Sequence, residues 1–104
     1  MASIRNSRSY PVTPGHRYPV GATVQGGDIN FCVFSRHATR LWLQLYDHPE
    51  STTPFQTIEL VPEINRTFFF WHVCVRGVAE HKNLAYTWRA DGPHSPELGH
   101  RFNP

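Results

Sequence analysis

The sequence predicts an all-β fold, a two-layer sandwich of about six to eight short antiparallel strands. Three observations predict it. Short apolar runs recur at fairly regular spacing and are separated by turn clusters. No stretch keeps a helical period over the length of a helix. Aromatics make up 13% of the chain and Pro supplies 9 residues, which suits strands and loops better than a helical bundle. With 104 residues the chain is expected to form one domain with a real core.

The elements follow in order. Residues 1–17 are rich in Ser, Arg and Pro and are expected to form an irregular arm. Tyr18–Val24 is a short extended segment, and Gly26-Gly27 turns the chain into a strand over Asp28–Ser35. In that strand Ile29, Phe31 and Val33 face one way, and Asn30, Cys32 and Phe34 face the other. Both faces carry bulk, so the strand is expected inside the sandwich. Arg40–Asp47 alternates cleanly: Leu41, Leu43 and Leu45 are assigned to the core, Trp42, Gln44 and Tyr46 to the opposite face. Phe55–Leu60 is the next strand, and a loop holds Val61–Thr67. Phe68–Val75 is the strongest β segment by composition, with Phe69, Trp71, Val73 and Val75 on one side. Leu84–Asp91 is the last strand, and Asp91-Gly92-Pro93 ends it. This series reads as an immunoglobulin-like sandwich over residues 18–93.

Several function classes are excluded or disfavoured. The formal charge is +2 and the Arg residues are scattered, so no nucleic-acid partner is expected. No run reaches the roughly 18 apolar residues of a membrane span, so no membrane partner is expected either. The N-terminus lacks a hydrophobic signal core, and a cytoplasmic location is expected. In that compartment Cys32 and Cys74 are most simply free thiols. His72 and Cys74 share a strand face, but no CxxC or HxxxH pair accompanies them, so neither a metal site nor a cofactor is expected.

The quoted segments together resemble a known family. Tyr18-Pro-Val-Gly-Ala-Thr23, Ile29–Ser35 with His37-Ala-Thr39, Leu41–Asp47, Trp71-His-Val73 and Tyr86-Thr-Trp-Arg89 resemble the opening of glycogen debranching enzymes and isoamylases. Asp91-Gly-Pro93 and Gly99-His-Arg-Phe-Asn-Pro104 complete the ordered set. The resemblance implies an early-set β-sandwich, classed with carbohydrate-binding modules and placed before an (α/β)8 barrel that hydrolyses α-1,6 branch linkages. Residues 94–104 are then the linker into that barrel, which is absent from this chain. Three features depart from the family pattern: Asp28, the Phe68-Phe69-Phe70 run, and Ala79–Asn83, where a Pro-Gly turn is usual.

The implied function is that of a non-catalytic accessory module which packs on the barrel of the same enzyme. Hydrolysis of a glycosidic bond needs two carboxylates about 5–9.5 Å apart. The acidic residues here read as turn and solvation residues, so no catalytic residue is assigned. Carbohydrate contact or barrel docking is assigned to Trp42 and Tyr46, because flat aromatics stack on the C–H faces of sugars and also mark contact surfaces. Trp71 and Trp88 are expected in the core. The resemblance places the platform Trp residues of related glycogen-binding modules at positions that hold Asp47-His48-Pro49 and Pro93-His94 here. Two alternatives therefore stay open: a free-standing α-glucan-binding module, and an interaction domain for a separately encoded barrel.

Overall fold

A computed structural model describes residues 9–92. Among the described residues eight strands form two antiparallel sheets. In chain order they are β1 (Val12–Thr13), β2 (Gly21–Gln25), β3 (Asp28–Phe34), β4 (Arg40–Tyr46), β5 (Gln56–Glu59), β6 (Arg66–Thr67), β7 (Phe70–Val75) and β8 (Ala85–Asp91). One sheet runs β1-β7-β3-β2, with β6 also paired to β7; the other runs β5-β4-β8. The short helix α1 (Pro62–Asn65) and a 3-10 turn (Val78–Glu80) fill connections. The all-β sandwich expected from the strand spacing is the architecture observed. Among the described residues no helix is long and apolar enough to cross a membrane.

The core lies between the sheets and follows the period of two. Ile29, Phe31, Leu41, Leu43, Leu45, Trp71, Val73, Val75, Leu84 and Trp88 are all buried. Trp71 and Trp88 are thus packing residues, as expected. The ring of Phe31 meets the ring of Tyr86 edge-on at 4.8 Å, an arrangement favoured by the ring quadrupoles.

The second face of β3 is buried in a way that the sequence reading did not contain. Residues 9–17, the described part of the expected arm, form a strap that joins the edge of the first sheet through β1 and then crosses its outer face. Strand β1 pairs Val12 with Val75 and Thr13 with Cys74. Asn30, fully buried in β3, clasps one backbone unit: its Oδ1 accepts from the His16 N–H at 2.8 Å and its Nδ2 donates to the His16 carbonyl at 3.0 Å. Cys32 donates its thiol to the Arg17 carbonyl. His72 donates from Nδ1 to the Pro14 carbonyl at 2.7 Å, and its Nε2 accepts from the Thr67 hydroxyl at 2.9 Å. The carbonyl can only accept, so it fixes the His72 tautomer. Asn30, Cys32 and His72, turned outward from β3 and β7, thus each meet a partner in the strap or in β6. Burial also pushes the Cys32 thiol from its ordinary 9.0 up to about 11, so it is no nucleophile at neutral pH.

A second cluster ties the strap to the other sheet. Tyr10 donates its hydroxyl to His81 Nδ1 at 2.8 Å, and His81 Nε2 donates to Asp47 at 3.0 Å. Phe55 stacks on the His81 ring at 4.7 Å. Gln56 accepts from the Tyr10 N–H and donates to the Tyr10 carbonyl.

Two departures from the expected strands have local causes. Strand β7 begins at Phe70, because Phe68 and Phe69 form the two-residue turn of the β6–β7 hairpin, with Thr67 opposite Phe70. Asp28, one of the family departures, accepts from the Gly77 N–H and pairs with Arg76 at 2.9 Å, fastening the β2–β3 hairpin to the end of β7. The linker expected over residues 94–104 lies outside the described residues.

Candidate functional site

The outer face of the β5-β4-β8 sheet carries both residues assigned from sequence. Alternation along β4 turns Arg40, Trp42, Gln44 and Tyr46 away from the core. Register places Trp42 between Glu59 of β5 and Arg89 of β8, and Gln44 between Thr57 and Thr87. Trp42, Gln44, Thr57 and Arg89 line a shallow depression of about 250 Å³. The indole is partly buried and is flanked by two guanidinium groups, Arg40 at 4.8 Å and Arg89 at 5.9 Å from the ring. Arg40 is itself anchored, donating from Nε and from its terminal nitrogen to one Glu59 oxygen at 3.1 and 3.0 Å.

Tyr46 shares this face and differs from Trp42 in kind. It is 8% exposed, and its hydroxyl lies 3.2 Å from the Thr87 hydroxyl. A ring so covered presents little surface to a ligand. Chemically, the depression offers an indole, an amide, a hydroxyl and the Arg89 guanidinium. That set suits a hydroxyl-rich ligand. It contains no pair of carboxylates for acid–base chemistry. Elsewhere three of the described carboxylates serve contacts within the fold: Asp28 with Arg76, Asp47 with His81, Glu59 with Arg40. Among the described residues no three His, Cys, Asp or Glu side chains gather as metal ligands would.

The most exposed Phe among the described residues lies elsewhere. Phe68, at the tip of the β6–β7 hairpin, is 71% exposed, and Phe34 at the end of β3 is 45% exposed. Phe34 meets Phe69 at 6.0 Å and Phe70 at 5.2 Å, edge-on in both cases. The sequence signal was visible as a run of three Phe, but it read as strand and not as a tip.

The family pattern described as carbohydrate-binding module 48 (isoamylase N-terminal domain) matches residues 19–102. A glycogen debranching enzyme of Cronobacter sakazakii is 37% identical over 90 residues, covering 86% of this chain and 12% of that protein. The chloroplastic isoamylase 1 of Arabidopsis thaliana is 36% identical over 95 residues, covering 88% of this chain and 12% of its own length. This chain therefore spans about an eighth of the curated relatives that it matches. Among solved structures, a Paenibacillus barengoltzii pullulanase in complex with maltohexaose and α-cyclodextrin superposes with a TM-score of 0.62 at 17% identity, over 75% of this chain and 11% of that one. At that identity the likeness concerns the fold.

Proposed function

Because this chain belongs to the carbohydrate-binding module 48 family, the isoamylase N-terminal domain, we propose that it is a non-catalytic front module of an α-1,6-glucan debranching hydrolase. In this reading it works in the cytoplasm, in glycogen breakdown. The sandwich of residues 18–93 packs on a catalytic (α/β)8 barrel, and residues 94–104 lead into it. One observation carries the reading: the family pattern fills residues 19–102, yet the chain corresponds to only 12% of its relatives. The carboxylates agree, since Asp28, Asp47 and Glu59 are engaged in ion pairs and none lines the depression at Trp42. Incubation of the chain with amylopectin or glycogen is expected to release no linear glucan chains. Measurable debranching by the purified chain would overturn the proposal.

A second reading has its own observation. The depression at Trp42, with Gln44, Thr57 and Arg89, offers a partly exposed indole and hydroxyl-directed donors, which favours direct α-glucan contact there. The fold makes this easy to read out, because Trp71 and Trp88 are buried and Trp42 alone of the three indoles has solvent access. Titration with maltoheptaose is expected to quench the Trp fluorescence saturably, and Trp42→Ala is expected to abolish the change. A flat trace in the parent chain rejects contact at this face.

A further inference from the structure

The β6–β7 hairpin tip combines three features that the accessory role leaves unused. The first is conformational. Phe68 has φ of 61°, at the first central position of a two-residue hairpin turn, where glycine is the ordinary occupant. A bulky side chain there is strained, and this ring is 71% exposed, so burial does not compensate it. The second is preorganisation. Arg66 donates from Nε to the Phe68 carbonyl at 2.8 Å, and the Ser35 N–H donates to the Phe69 carbonyl at 2.9 Å. Both backbone carbonyls of the turn are thereby held. The third is chemistry. Two guanidinium groups flank Phe69, Arg36 at 5.5 Å and Arg66 at 5.6 Å from the ring, and Phe68 lies against Phe69 at 4.2 Å with the planes tilted by 47°.

We propose that the Phe68–Phe69 tip, backed by Phe34 and flanked by Arg36 and Arg66, is a second α-glucan contact, separate from the Trp42 face. The inference rests on the reading of this chain as a module for α-glucan enzymes. An exposed aromatic face takes the C–H face of a glucose ring, and the guanidinium N–H groups donate to the hydroxyls around its edge. Scale favours a sugar over a protein partner. An ordinary protein interface buries about 800 Å² on each side. One or two Phe rings at a convex tip offer a fraction of that, which matches one or two sugar rings. The fixed turn also limits the ordering cost of binding.

Native gels cast with soluble amylopectin test the proposal on the full chain. The parent protein is expected to be retarded relative to a gel without glucan. Phe68→Gly is expected to weaken apparent binding at least about fivefold, the scale of a truncated contact residue. Its melting temperature is expected to be unchanged or higher, because glycine relieves the strained φ. That readout separates a lost contact from a damaged fold. Phe68→Tyr, which keeps the ring, is expected to keep the retardation. If Phe68→Gly migrates like the parent while Trp42→Ala loses retardation, the tip proposal is overturned and glucan binding at the Trp42 face stands. If the parent is not retarded at all, glucan binding fails at both places; the accessory reading is judged separately by the debranching assay. Binding to anionic phospholipid vesicles that is lost in Phe68→Gly, without glucan retardation, would assign the tip to a membrane surface and overturn the proposal.

Discussion

Phe31→Ala is expected to lower the unfolding free energy by about 3–5 kcal/mol, the range for deleting a large buried aromatic. The side chain is fully buried, and its strand is paired on both sides, with Ala22 of β2 and Val73 of β7 across from it. Removing the ring leaves a cavity at the centre of the sandwich and strips Tyr86 of its edge-on neighbour at 4.8 Å. Domains of this size are stable by only about 5–15 kcal/mol, so the loss is a large part of the total. Thermal unfolding followed by near-ultraviolet circular dichroism would register it as a fall of at least about 10 °C. Phe34→Ala is the internal control. It lies on the same strand but is 45% exposed, and is expected to cost about 1 kcal/mol or less. Equal losses for the two variants would contradict the assignment of core and outer faces on β3.

Gly15→Ala is the second large expected effect, about 2–4 kcal/mol from left-handed strain together with overpacking. Gly15 has φ of 78°. A Cβ there would fall 2.7 Å from Asn30 Oδ1, 2.7 Å from the Val73 carbonyl carbon and 2.8 Å from the Cys74 nitrogen. Two of those neighbours are backbone within β7, so the strap and not the sheet must give way. The Asn30 clasp on His16 would loosen with it, leaving buried polar groups without partners at about 1–3 kcal/mol each. Gly26→Ala separates the two contributions: its φ is 65°, and nothing lies within 4 Å of the added carbon. It is expected to show the strain alone, roughly 1 kcal/mol. Denaturant titration of the three proteins compares them directly, and a Gly15→Ala midpoint equal to that of Gly26→Ala would refute the close approach of strap to sheet.

The parts of the fold that were legible in the sequence are those written in local alternation. Leu41, Leu43 and Leu45 announce the inner face of β4 because a strand repeats every two residues. Gly26-Gly27 announces its hairpin because turn chemistry is local. The strap was not legible for the converse reason. It is held by hydrogen bonds between residues 14 to 71 positions apart, and its own sequence has no period. The one trace was Asn30, a polar residue amid apolar neighbours, which demanded a partner that the sequence could not name. The hairpin tip misled differently: three consecutive Phe have high strand propensity, yet the two-residue turn outranked it at Phe68 and Phe69. At the Trp42 face the position was legible from alternation. The covering of Tyr46, the anchoring of Arg40 by Glu59 and the approach of Arg89 to the indole depend on strands brought together from residues 56–59 and 85–91, and so could not be read locally.

The strap has a consequence for how the chain comes into being. Residues 9–17 leave the ribosome before any other described segment, yet their partners in β7 and at His81 lie about sixty to seventy positions later. The first described segment to be made therefore cannot be fully seated until His81 has emerged. Until then Asn30, Cys32 and His72 face water or whatever else is nearby, and closure waits on contacts of high sequence separation, which form slowly. During synthesis the early strands β2 and β3 can pair as a hairpin, but the sandwich can close over them only when nearly the whole domain has emerged.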